Sequence, residues 1–415
     1  MLRAYKYRIY PNEEQKVMFA KTFGCVRFVY NWALKTKKKA WEEEKKNISC
    51  YELQNLMVAV LKKENEWLYE VSSHALQFSI KNMDSAYQNF FKHGAKYPRF
   101  KRKNGEQKFH SDKTHSVDFG KEILNISKIK GIKTIFHREF KGSIKDVTII
   151  MEKDNRYYAN ILVDTTEQSM PKRKVSPDTT IGIDTGLKTF AVCSNGKEYH
   201  APHFQKQQKR KLKLLQRRLN KKEKGSRTFN DTKLKIARVH SKIAHQRMDY
   251  LHKTTYRLTH ENQVNTICVE DLNVKGMVRN KHLAYDISDA GIGMFYTMLA
   301  YKCEWYGVNL VKIGRFQPSS KQCSSCGYIN KTLTLKERSW MCPECGTHHD
   351  RDYNASVNIR NFGLETLLTG REEVKPAECP LVDDRSSEPK KQRYARKEAG
   401  KVRRKQFSEA TEYTI

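Results

Sequence analysis

Three acidic side chains fall where an unpaired charge is costly, and their order along the chain suggests metal-assisted hydrolysis. Asp184 closes the apolar run of IGIDTGLKTFA, Glu270 closes that of TICVEDL, and Asp352 precedes the helical stretch YNASVNIRNFG. Each also has a plain structural reading. Asp184 suits a turn before Thr-Gly. Asp352 suits the N-cap of a helix running to Asn358, with Gly363 as its stop. Asp271, beside Glu270, can simply face solvent. A charge ending a buried strand is nevertheless unfavourable unless paired or metal-bound. Acids converging from two such strands and a helix would repel one another. A pair of Mg²⁺ ions offsets that repulsion and activates water for phosphodiester cleavage.

A second constellation is Cys323/Cys326 and Cys342/Cys345, two CxxC pairs with 15 residues between them. That spacing fits a four-thiolate zinc site. Four thiolates leave no open coordination position, so the zinc is expected to be structural. His348 and His349 follow closely and could compete as ligands, but they read as ordinary loop residues. The six other cysteines (Cys25, Cys50, Cys193, Cys268, Cys303, Cys379) are scattered singly. They read as small hydrophobes in a reducing compartment rather than as a disulfide framework.

The elements that must hold these groups can be read from periodicity. LRAYKYRIY alternates as a strand and ends at Pro11; Asn12 then suits the N-cap of a long helix. Helical spacing recurs to residue 93. YPRFKRKNGEQKF breaks it, and short strands follow to about residue 165, with Asp154-Asn155 suited to a hairpin turn. TEQSMPKRKVSPDT has a linker's composition. Residues 179–200 read as a three-stranded meander, and 204–260 as a long basic helical stretch. After these come the strand VNTICVEDL, a helix from about Met294 to Tyr306, the strand GVNLVKI, the CxxC pairs and a last helix. The order of meander, later strand with its acid, and closing helix with the third acid is that of a ribonuclease-H-like fold.

Charge narrows the partners. The 415 residues carry 79 Lys+Arg against 46 Asp+Glu, a net charge of +33, which calls for a polyanion, and nucleic acid is the commonest. Residues 206–224, KQQKRKLKLLQRRLNKKEK, hold ten basic side chains and one acid at helical spacing. A solvated face normally mixes signs, so Lys209, Arg210, Lys213, Arg217 and Arg218 are candidate contacts to nucleic-acid phosphates. A membrane is not expected as partner, because no apolar run approaches the ~18 residues of a spanning helix. MLRAYKYRIY also lacks the apolar segment of a secretory signal, so an intracellular protein is expected. The charged tail from residue 371 reads as disordered.

The segments GIDTGLKTFAV, VEDLNVKGM, QPSSKQCSSCG and CGTHHDRDYNASVNI closely resemble the insertion-sequence TnpB proteins, kin of the compact type V CRISPR effectors. YKYRIYPNEEQ, GCVRFVYNWAL and YPRFKRK match as well, so the resemblance runs from residue 1 to about 365. It implies an RNA-guided DNA endonuclease of a transposable element, with an α/β multidomain fold. In that fold a RuvC nuclease core (176–370) carries an inserted zinc ribbon (318–349). The rest would be a helical recognition domain (11–93) and a β-rich wedge domain (1–10 and 94–172). Asp184, Glu270 and Asp352 fall on the family's catalytic, magnesium-binding positions, leaving Asp350 as a bystander or a support behind the ligands. The implied partners are a guide RNA from the element and target double-stranded DNA beside a short motif, in the prokaryotic cytoplasm at the nucleoid. Thr185 departs from the family, where an aliphatic residue is commoner, but leaves the acids intact. Two rival readings are a nuclease-inactive guided repressor and a strand-transferring transposase.

Overall fold

The computed structural model describes residues 1–111, 114–261, 263–334 and 337–369. The tail from residue 371, with Cys379, lies outside them. The described chain divides into two compact units, with the boundary between Thr166 and Glu167.

In the first unit, the alternation of LRAYKYRIY becomes β1 (Leu2–Tyr10), with Tyr5, Tyr7 and Ile9 turned into the core. Asn12 caps α1 (Glu13–Glu44): its side chain accepts from the Gln15 backbone N–H, and the Gln15 side chain accepts from that of Asn12. Two otherwise orphaned donors are thereby satisfied. After α1 come α2 (Cys50–Leu56), a π-helical turn (Met57–Leu61), α3 (Lys62–Glu64) and a 3-10 turn (Glu66–Glu70). Then α4 (Ser73–His93) ends at a left-handed Gly94. The remaining strands are β2 (Gln107–His110), β3 (Ser116–Asp118), β4 (Ile123–Ile126), β5 (Ile129–Ile135), β6 (Gly142–Met151) and β7 (Tyr157–Thr165). They join β1 in an antiparallel sheet ordered β2-β6-β7-β1-β5-β4-β3. The β6–β7 hairpin turns at Asp154-Asn155, where Asn155 takes a φ of 62°, a conformation asparagine tolerates well. Helices and sheet share one apolar core, in which Phe19, Leu76 and Ile80 join Phe109, Ile149 and Ile161.

The second unit is built on a five-stranded sheet ordered β10-β9-β8-β11-β12. β8 (Thr180–Thr185), β9 (Thr189–Cys193) and β10 (Glu198–His200) form the antiparallel meander. β11 (Thr266–Glu270) and β12 (Asn309–Ile313) then run parallel to β8. Parallel strands buried on both faces read as unbroken apolar runs, which is why IGI and TICV were conspicuous. The basic stretch is two helices, α5 (Phe204–Asn220) and α6 (Arg227–Tyr256). They part at KKEKGS, where Gly225 takes a φ of 92° that a continuous helix cannot contain. The pair packs through Leu212, Leu215, Val239 and Ile243. Between β11 and β12 lie α7 (Val274–Met277), α8 (Ala284–Ala290) and α9 (Ile292–Trp305). A small hairpin of β13 (Ser339–Met341) and β14 (His348–Asp350) leads directly into α10 (Arg351–Thr369). No described helix is long and apolar enough to cross a membrane.

Candidate nuclease and metal centres

The acids arrive from adjacent elements. In the β8–β11 register Ile183 stands opposite Val269, so the next residues along, Asp184 and Glu270, end neighbouring strands side by side. α10 lies across β8, and the glycines set how close it comes. A Cβ on Gly182 would stand 2.0 Å from the Ser356 carbonyl oxygen, and one on Gly363 would stand 2.2 Å from Cys268 Sγ. Gly363 was expected to stop the helix. Instead the helix passes through it to Thr369, and the missing side chain makes room for Cys268. Asp352 therefore sits in the first turn of α10 beside the ends of β8 and β11.

The electrostatics follow from this convergence. Burial, reinforced by the charges of Glu270 and Asp352, pushes the Asp184 carboxyl up to about 7; Arg351 and the Thr185 backbone only partly oppose this. A carboxylate so placed is short of positive charge, which is the condition a divalent cation relieves. The three acids share one field, but only the four thiols bring all their ligand atoms within 4.8 Å of one another among the described residues.

Neighbouring side chains hold two of the acids. Ser319 Oγ donates to Glu270 Oε1 at 2.5 Å. Arg338 Nη1 donates to both oxygens of Asp352, at 3.2 and 3.1 Å, and Arg351 Nε lies 3.6 Å from Oδ1. Asp350, not Asp352, caps α10, its Oδ1 accepting from the Tyr353 N–H at 2.9 Å. The capping role open to Asp352 is thus filled two residues earlier. Asp271 faces solvent as expected, and there pairs with Arg315. Thr185, at the unusual position after Asp184, hydrogen-bonds Tyr296 of α9 at 2.9 Å through its hydroxyl.

The cysteines fold into two matching knuckles. The Gly327 N–H reaches the Cys323 carbonyl and the Gly346 N–H reaches that of Cys342, both at 2.9 Å, and both glycines have positive φ. Cys323 and Cys345 stand 3.7 Å apart through their sulfurs, and Cys326 and Cys342 3.6 Å. Zinc–sulfur bonds of ~2.3 Å in a tetrahedron require sulfurs about 3.8 Å apart, so the thiols fit a zinc ion. His348 and His349, read as loop residues, belong to β14. Buried His349 places Nε2 3.0 Å from Cys323 Sγ and its ring 4.9 Å from that of Trp340. It is suited to donate a hydrogen bond to a metal-bound sulfur from outside the ligand set.

Two residues that sequence reasoning missed tie the knuckles to α10. Asn354 accepts from the Ser324 N–H at 2.9 Å and donates to the Gln322 carbonyl at 2.7 Å. Asn358 donates to the Ser319 and Gln322 carbonyls. Asparagine is a weak helix former, so two of them four residues apart on a buried face were the available signal.

Lys209, Arg210, Lys213, Arg217 and Arg218 all lie exposed on α5, away from the acids in sequence but on the same unit. The helix is anchored by a residue that no motif marked. The buried carboxylate of Asp289, on α8, accepts from the Gln205 and Lys206 N–H groups at the N-terminus of α5 and from Arg247 of α6. One side chain thus caps the first basic helix, favourably placed for its dipole, and pairs with the second.

Comparison with known proteins places this arrangement. Residues 160–281 match the OrfB_IS605 family, described as "Probable transposase", and residues 293–359 match the Cas12f1-like TNB domain. Residues 1–46 match a helix-turn-helix family, although here they form β1 and a single helix. One chain in the cryo-EM structure of a Cas12f1–sgRNA–target DNA complex is similar over 87% of this chain and 99% of its own. It superposes with a TM-score of 0.57 at 14% identity. The fold is thus of the mixed α/β, multidomain kind that this effector has. Two curated relatives share the printed name "Putative RNA-guided DNA endonuclease". One, from Streptomyces pristinaespiralis, is 35% identical over 90% of this chain and 95% of its own. The other, InsQ of Escherichia coli K12, is 31% identical over 89% and 94%. The chain belongs to the TnpB-like family of insertion-sequence proteins.

Proposed function

We propose that this protein is an RNA-guided DNA endonuclease of a transposable element. It cleaves target DNA beside a short motif by metal-dependent phosphodiester hydrolysis at Asp184, Glu270 and Asp352. The observation that carries the reading is the convergence of three acids from β8, β11 and α10, with Asp184 pushed up to about 7 by burial and its neighbours. In this reading residues 176–370 form a RuvC-like core with a zinc ribbon at 318–349. Residues 11–93 recognise nucleic acid, and residues 1–10 with 94–172 act as a wedge. The guide and the DNA target place its action in the prokaryotic cytoplasm, at the nucleoid.

The three acids would hold Mg²⁺, two ions by analogy with other nucleases, which when bound supplies positive charge and Lewis acidity to the scissile phosphate. The chain's own contributions are positional. Ser319 fixes one oxygen of Glu270, and Arg338 and Arg351 fix Asp352. Thr185 ties the end of β8 to α9 through Tyr296. Arg338 and Arg351 also bring positive charge beside the acids, where a phosphodiester must approach. The four cysteines would hold zinc, fixing the hairpin from which α10 starts.

Sequencing RNA that co-purifies with the protein supplies the guide. That guide, Mg²⁺ and a DNA library with randomised flanks then test the function. The expected result is guide-matched cutting beside one short motif. Guided binding without cutting would instead indicate a repressor, and joined DNA products a transposase.

The basic helix gives a separate prediction. Reversing Lys209, Arg210, Lys213 and Arg217 to Glu should weaken RNA or DNA binding for all sequences alike. The salt dependence should flatten by roughly one unit of slope per lost phosphate contact. Motif preference should stay unchanged, and circular dichroism should barely move because Glu and Lys have similar helix propensities. Wild-type affinity and slope in a salt titration would leave α5 as ordinary solvated surface.

A further inference from the structure

The middle of α1 carries a glycine that packing does not require. Glycine is the poorest helix former after proline, and a Cβ on Gly24 would meet no atom within 4 Å. Its φ is not positive either. Gly24 instead floors a cavity of about 430 Å³ walled by Lys21, Cys25, Arg27, Phe28, Trp67 and Glu70.

The walls have a specific chemistry. Phe28 and Trp67 are 37% and 42% exposed and pack edge to face, with ring centroids 5.0 Å apart at 62°, so two partly exposed aromatic rings line the cavity. Fully buried Leu68 anchors the turn that carries Trp67. Burial, reinforced by Glu70, pushes the Cys25 thiol up to about 11, so that wall stays uncharged. At the rim Lys21 Nζ pairs with Glu70 Oε2 at 2.5 Å. Arg27 makes no ion pair among the described residues.

A planar ring stacks on such aromatic faces, a carboxylate oxygen accepts from donors on the ring's edge, and an arginine binds a phosphate. Among the four RNA bases, guanine presents two adjacent donors, N1–H and N2–H, on one edge. We propose that this cavity binds a single unpaired guanosine of a nucleic-acid strand. The proposal rests on the nucleic-acid reading above only for the source of that guanosine and involves none of the three acids.

The test titrates the full-length, zinc-loaded protein with GMP, AMP, CMP and UMP, following tryptophan fluorescence and, for Trp67→Phe, calorimetry. GMP should bind saturably and at least about tenfold more tightly than the others, the discrimination expected of a good two-point contact. Gly24→Leu, which fills the floor while improving helix propensity, should weaken GMP binding about tenfold or more. Glu70→Gln, an exposed substitution, should remove the guanine preference but keep stacking. Preloaded guide RNA should displace GMP. Equal affinity for all four nucleotides, or unchanged GMP binding in Gly24→Leu, would overturn the assignment. GMP binding undiminished by guide RNA would overturn the strand as its source. DNA cutting is not the readout, so an inert pocket leaves the nuclease assignment standing, and a protein that cuts nothing leaves the pocket result standing.

Discussion

Alanine at Asp184, Glu270 or Asp352 should abolish target cutting while guide-dependent DNA binding persists. Each substitution removes negative charge that the metal site needs but leaves the phosphate-binding surfaces intact. Metal-borne stabilisation of a developing charge is worth several kcal/mol, so the rate should fall roughly 10³-fold or more, to background in a gel assay. Asp350→Ala is the informative neighbour. It removes the cap on Tyr353, which costs about 1 kcal/mol of stability, and should leave cutting largely in place. Electrophoretic mobility shifts, run alongside cleavage, separate the two effects. An inactive Asp350→Ala with an active Asp352→Ala would reverse the assignment of the third acid.

Removal of zinc should produce the second large effect. One tightly held zinc per chain is expected by elemental analysis of protein prepared without chelator. Zinc binding contributes on the order of 10 kcal/mol in small domains whose fold depends on it. Cys342→Ser should therefore melt the knuckles and lower the thermal midpoint of the second unit. The path to the proposed nuclease centre is short. The Arg351 N–H bonds the Arg338 carbonyl, Arg338 grips Asp352, and Asn354 and Asn358 hold the first knuckle. Cutting should thus fall although no acid has changed. Cys50→Ser, whose thiol lies outside the cluster, should be close to neutral. Zinc-free protein with wild-type melting would remove the metal from this account.

The sequence was most informative where the signal is local. The alternation of β1, the N-cap at Asn12 and the apolar runs ending at Asp184 and Glu270 can all be read within a few residues. The CxxC pairs can be read from spacing alone. What could not be read depends on partners far along the chain. Asp289 lies 84 residues from the Gln205 N–H it receives. Cys268 is what makes Gly363 a contact rather than a stop. The break between α5 and α6 was masked because basic residues continue through it at helical spacing. The short α7 and α8 carry too few turns for a period to show.

The last described helix completes the proposed catalytic centre, and this orders events during synthesis. A chain emerges from the ribosome N-terminus first, and its units fold in that order. β8 and β11 can pair once residue 270 is out, yet they then present two acids without the third. Asp352, its arginine clamp and the zinc knuckles all follow residue 319. On the proposed assignment, a chain ended before Asp352 should not cut. By the time the centre closes, the first unit and the basic helices already exist. If the three acids form the proposed centre, a half-made chain would lack the third acid and would not cut.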